Sequence, residues 1–143
     1  MVNRATAAFV VSIIGAAYQM ISLYVANLVD SNTSLIYYSY GYETLFFTGF
    51  LVFWGASHLL EDWKGRITWP SIVFVLGLAN FSTITMAYYA QTSGTRIGAN
   101  TPSSGSVIAL ITGPILIIIG GLVGFSAVRQ YRREHGHAVL GQA

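Results

Sequence analysis

Residues 5–29 read ATAAFVVSIIGAAYQMISLYVANLV, an unbroken run of 25 residues without a charged side chain. A bilayer core about 30 Å thick needs roughly 20 apolar residues of α-helix to cross it. The stretch therefore predicts a membrane-spanning helix. Met1 to Arg4 before it resemble the basic start of a secretory signal, but a cleavable signal has an apolar core of only about 7–15 residues. The expectation is a retained span.

Three more charge-free runs follow, at 44–60, 67–95 and 97–128. Over the 143 residues only 8% are charged and 54% are hydrophobic, and the mean hydropathy is +0.60. A soluble domain carries about 25% charged residues to keep its surface wet. These proportions exclude a soluble enzyme, a nucleic-acid-binding domain and a disordered regulator. They predict an all-α, polytopic membrane protein: a bundle of four transmembrane helices with short loops, forming one integral domain over 1–143. The helices are expected at about 5–29, 38–60, 68–91 and 106–129, with a polar C-terminal tail over 130–143.

The breaks between runs support these limits. Asp30 to Ser34 is polar, Glu61 to Arg66 is a charged turn, and 92–105 is rich in Gly, Ser, Thr and Asn. Pro70 falls in the first turn of the third segment, where its missing N–H does no harm. Basic residues stay on the cytoplasmic side of membranes. Arg4, Lys64, Arg66, Arg129, Arg132 and Arg133 fall at one end of the predicted bundle, and only Arg96 at the other. Both termini are therefore expected in the cytoplasm. Tyr37, Tyr38, Tyr40, Tyr42, Tyr88 and Tyr89 would then line the outer interface, and Trp63, Trp69 and Tyr131 the inner one, as amphipathic rings prefer.

Helices in lipid cannot be held together by hydrophobicity, because the solvent is as apolar as they are. Small residues that let backbones approach, and a few interhelical hydrogen bonds, must do it. In the first segment Ala5, Ala8, Ser12, Gly15, Gln19, Ser22 and Ala26 recur at spacings of three and four, the seam of a left-handed helix pair. In the fourth, Ser106, Gly113, Gly120 and Ala127 recur every seven residues, and Gly124 completes Gly120-x-x-x-Gly124. These faces are predicted packing interfaces, within the chain or between chains. Pro114 inside the fourth segment predicts a kink, because it removes a backbone hydrogen bond.

Groups able to carry chemistry are few. Ionisable residues inside a membrane are functional candidates by default. Glu43, at the start of the second span, is a candidate proton or cation site, or a carboxylate reaching back to the interface. His58 lies about four turns away on the same segment, so the two cannot form one acid–base pair. His58 with Glu61 and Asp62 makes an incomplete metal set, since a site needs three or four ligands, and no metal is expected. A self-contained haem would need two axial ligands, and His135 and His137 fall in the tail. Gln19 and Asn80 sit near mid-span, placed to hydrogen-bond across helices or to line a quinone or lipid pocket. Asn32-Thr33-Ser34 is a glycosylation sequon in a loop expected outside, whereas Asn80-Phe81-Ser82 should lie buried and silent. The absence of cysteine excludes thiol chemistry, and no hydrolase, zinc-protease or phosphate-loop motif is present.

The leading functional expectation is a noncatalytic accessory or scaffolding subunit of a larger membrane assembly, in contact with lipid and with other membrane subunits or further copies of itself. A first alternative is a subunit of a membrane redox complex that holds quinone or shares haem with a partner through His58, Gln19 and Glu43. A second is a small channel or proton-conducting protein built around Glu43 and Asn80.

Overall fold

The computed structural model describes the backbone of residues 3–29, 41–61, 66–92 and 104–140, and within these the side chains of 3–25, 46–60, 66–86, 89 and 108–135. The described residues form four helices, α1 (Arg4–Val29), α2 (Gly41–Glu61), α3 (Thr68–Thr92) and α4 (Ser104–Leu140), with no strand among them. Three of them contain segments long and apolar enough to cross a membrane, Arg4–Val25, Thr68–Met86 and Ile108–His135. The described apolar stretch of α2, Phe46–Leu60, is shorter.

Local chemistry explains the helix limits. Asn3 caps α1, its Oδ1 accepting the backbone N–H of Ala5 at 3.3 Å and its carbonyl accepting that of Ala7 at 3.0 Å. The Ile67 carbonyl opens α3 by accepting the N–H of Ser71 at 3.1 Å, with Pro70 buried in the first turn. The stretch expected as a polar tail from 130 onward differs from that reading, because α4 continues as helix to Leu140. Nothing between Arg129 and Glu134 breaks a helix, and Gln130 Nε2 donates to Glu134 Oε1 at 2.8 Å one turn on. Loss of hydrophobicity ends a span; it does not end a helix.

Each helix packs on its neighbours in sequence, and α1 closes the ring against α4. The directions alternate. Gly15 of α1 lies against Gly113 and Ile117 of α4, while Ser12 lies against Gly120 further along. On α3 and α4, Gly77 meets Ile118, Phe74 meets Gly121 and Pro70 meets Gly124. Thr48 reaches Asn80, and His58 reaches Trp69, so α2 and α3 also run in opposite senses. The result is an up-down-up-down bundle in which Arg4, Arg66 and Arg129 share one end.

Close approach at α1–α4 depends on glycine. A Cβ at Gly113 would stand 2.7–2.9 Å from the Cβ, Cα and N of Gln19, and one at Gly120 would overlap Ser12 Oγ. Gly120 and Gly124, grouped together in the sequence, serve different neighbours: a Cβ at Gly124 would stand 3.1 Å from Pro70 Cβ of α3. Four residues overshoot one 3.6-residue turn, so the second glycine has rotated towards the next helix. The helix runs through Pro114, which is itself buried.

Candidate functional site: a polar layer in the bundle core

Two apolar clusters occupy the core. One contains Ala8, Ala16, Val52, Leu59, Val73 and Ile117; the other contains Leu23, Ile84 and Leu110. In each helix the residue between or beside these positions is polar or very small: Gln19 on α1, Thr48 on α2, Asn80 on α3 and Gly113 on α4. They form a layer across the bundle. Thr48 Oγ1 donates to Asn80 Oδ1 at 2.8 Å, and Asn80 Nδ2 donates to Gln19 Oε1 at 3.1 Å. Gly113 presses its backbone on Gln19 from the fourth side. Gln19 is 0% and Asn80 2% exposed.

This arrangement binds three helices through a continuous chain of hydrogen bonds. Buried amides are costly unless their polar atoms are matched, and here the Asn80 amide is matched on both sides. Gln19 and Asn80 were both visible in the sequence as mid-span polar residues. Thr48 was not, because a threonine in a helix ordinarily bonds to its own backbone. Thr83, Thr85 and Thr112 do so, to the carbonyls of Ala79, Phe81 and Ile108 at 2.9, 2.9 and 2.7 Å.

His58 lies away from this layer, towards the end of the bundle that carries Arg66. Its ring stacks on Trp69 at 4.1 Å and 14°, and meets the edge of Trp54 at 5.2 Å. The contact is an aromatic seat joining α2 to α3. The structure therefore does not bring His58 to Gln19. Glu43 belongs to the first turn of α2 by backbone, but its side chain lies outside the described residues, as do Asn32, Asp62 and the side chains of Glu61, Ala26 and His137. His135 stacks on Tyr131 at 4.0 Å, with Nδ1 donating to the Tyr131 carbonyl at 3.0 Å. Among the described residues no three His, Cys, Asp or Glu side chains gather into a metal set.

The predicted seam residues of α1 turn inward. Ala5, Ala8, Ser12, Gly15 and Gln19 are buried, and Ser22 is half-buried. Their partners are in the same chain. Ser12 Oγ, packed under Gly120, donates to the Ala8 carbonyl at 2.7 Å.

The described residues are thus all-helical around one core, and three of the four helices are long and apolar enough to cross a membrane. The chain matches no protein-family model, and no curated protein or solved structure is detectably similar to it.

Proposed function

We propose that the chain is a multi-pass protein of the cell membrane, with four spans and both termini in the cytoplasm, that acts as a noncatalytic accessory or scaffolding subunit of a larger membrane assembly. The observation that carries this reading is the polar layer. The candidate chemical groups at mid-bundle, Gln19 and Asn80, are engaged with each other and with Thr48 in joining helices.

The distribution of polarity supports a lipid environment. Polar Gln19 and Asn80 are inside, while Ile21 is 63%, Phe47 64% and Met86 72% exposed on the outside. A water-soluble bundle reverses this order. Hydroxyls on the flanks hide their protons in their own helices, as a medium without water requires. Because the small-residue faces of α1 and α4 are used within the chain, a partner would meet the outer faces. On α2 these carry Phe47, Phe50 and Trp54 along one side.

The orientation is tested with reporters. One fused after Ala143 should report the cytoplasm, and one inserted near Gly98 should report the opposite side. An external C-terminus would overturn both the even number of spans and the charge argument. The subunit role is tested by gentle detergent extraction, native mass and an absorbance spectrum. A larger complex without pigment is expected. A Soret band would replace this reading with the redox alternative, and a small homo-oligomer that conducts ions would replace it with the channel.

A further inference from the structure

At the end of the bundle opposite Thr92, α1 and α4 enclose a recess of about 240 Å³ lined by Arg4, Ser126, Arg129, Gln130 and Arg133. Three of its five walls are guanidinium groups. Residues 126, 129, 130 and 133 follow the i, i+3, i+4, i+7 pattern, so they share one face of α4. Arg4 crosses from α1, its Nη1 donating to Ser126 Oγ at 2.7 Å. Among the described residues Glu134 accepts from Gln130, and no carboxylate pairs with Arg4, Arg129 or Arg133. Like charges one helical turn apart repel. Their convergence on one recess is stabilised once an anion lies between them.

The same helix face says which anion. Stepping back seven residues from Arg129 gives Leu122 and then Ile115, and from Arg133 gives Ser126 and then Ile119. Ile115, Ile119 and Leu122 are all exposed, at 40%, 41% and 52%. A basic pocket is thus continued by an apolar track in register with it. A free phosphate would use only the first part. A lipid uses both: guanidinium forks hold phosphate oxygens, and acyl chains lie along the isoleucines and leucine. Basic pockets between spans at the cytoplasmic surface suit anionic headgroups.

We propose that Arg4, Arg129 and Arg133 form a binding site for the phosphate headgroup of an anionic phospholipid, whose acyl chains follow Ile115, Ile119 and Leu122 of α4. Ser126 positions Arg4 for this contact. The proposal rests on the membrane reading above, and that reading fails separately, as release of the protein from membranes by alkaline carbonate.

The test uses the full chain, extracted in neutral detergent, stripped of lipid and titrated with phosphatidylglycerol, with phosphatidylcholine of the same acyl length, and with inorganic phosphate. Bound ligand is read by native mass spectrometry. Phosphatidylglycerol should bind in preference to phosphatidylcholine, with inorganic phosphate far weaker. Arg129→Gln combined with Arg133→Gln should weaken phosphatidylglycerol binding roughly 30-fold, about fivefold for each basic residue removed. Arg66→Gln, which removes one charge at the same end but outside the recess, should leave it unchanged. Equal binding of the two lipids by the unaltered protein would overturn the proposal, whatever the variants do. So would undiminished binding by a helical double variant. Inorganic phosphate binding as tightly as the lipid would assign the recess to a soluble anion and overturn the lipid assignment.

Discussion

Replacing Asn80 by aspartate is expected to destabilise the bundle by about 2.5–3.5 kcal/mol, the cost of a carboxylate at the centre of a membrane helix. The substitution keeps the shape of the side chain, so packing is not the cause. Thr48 can still donate to the new oxygen, but Gln19 Oε1 loses the N–H it receives at 3.1 Å and faces a negative oxygen instead. Protonating the introduced carboxyl in acid removes the charge, so part of the lost stability should return at low pH. Asn80→Leu, which removes both hydrogen bonds without adding charge, should cost about 1–3 kcal/mol and show no such recovery. Thermal unfolding in detergent at neutral and acid pH distinguishes the two. Unchanged stability of the aspartate variant at neutral pH would mean that water reaches this layer, and would transfer Asn80 from a structural role to an ion pathway.

Gly15→Leu is the second large effect. The first carbon alone, in Gly15→Ala, would stand 2.8 Å from Leu116 Cβ and 2.9 Å from both the Gly113 carbonyl oxygen and the Ile117 nitrogen. Two of those atoms are backbone, which no change of rotamer can move. Overpacking typically costs about 1–3 kcal/mol, and leucine here should separate α1 from α4. Ile14→Leu is the control, since Ile14 is 53% exposed and its neighbour can be lipid. The fraction of protein remaining monodisperse after heating should fall sharply for Gly15→Leu and stay level for Ile14→Leu. Equal tolerance would place the α1 seam in lipid and contradict the α1–α4 contact.

These two sites were not equally visible beforehand. The α1 seam was legible because small residues at alternating spacings of three and four can lie on one side of a helix. Its partner was not, since α4 carries two glycine faces: Gly113 and Gly120 towards α1, Gly121 and Gly124 towards α3. A heptad pattern isolates the first pair and overlooks Gly121, which follows Gly120 immediately. Gly77, against Ile118 on the facing helix, belongs to no repeat and left no sequence signal. His58 was a candidate ligand by residue type, yet its ring is seated on Trp69. That seat depends on the depth at which α2 and α3 pass each other, which no spacing within either helix records.

What the sequence determined by itself is the apolar character of the segments and their helical form. Hydrophobicity accumulates residue by residue along a segment, and a helix satisfies its own backbone hydrogen bonds, so neither property needs a neighbour. The charge-free runs and the small-residue stripe of α1 belong to this local class. Only the tertiary structure decided which stripe meets which, and therefore where the polar groups end up. Gln19, Thr48 and Asn80 become one layer, and Arg4 joins a residue 122 positions away at Ser126. The rotation and depth of each helix come from the combined packing of the bundle, and a shift of one turn, about 5.4 Å, would undo every one of those contacts while leaving the sequence pattern of each helix intact.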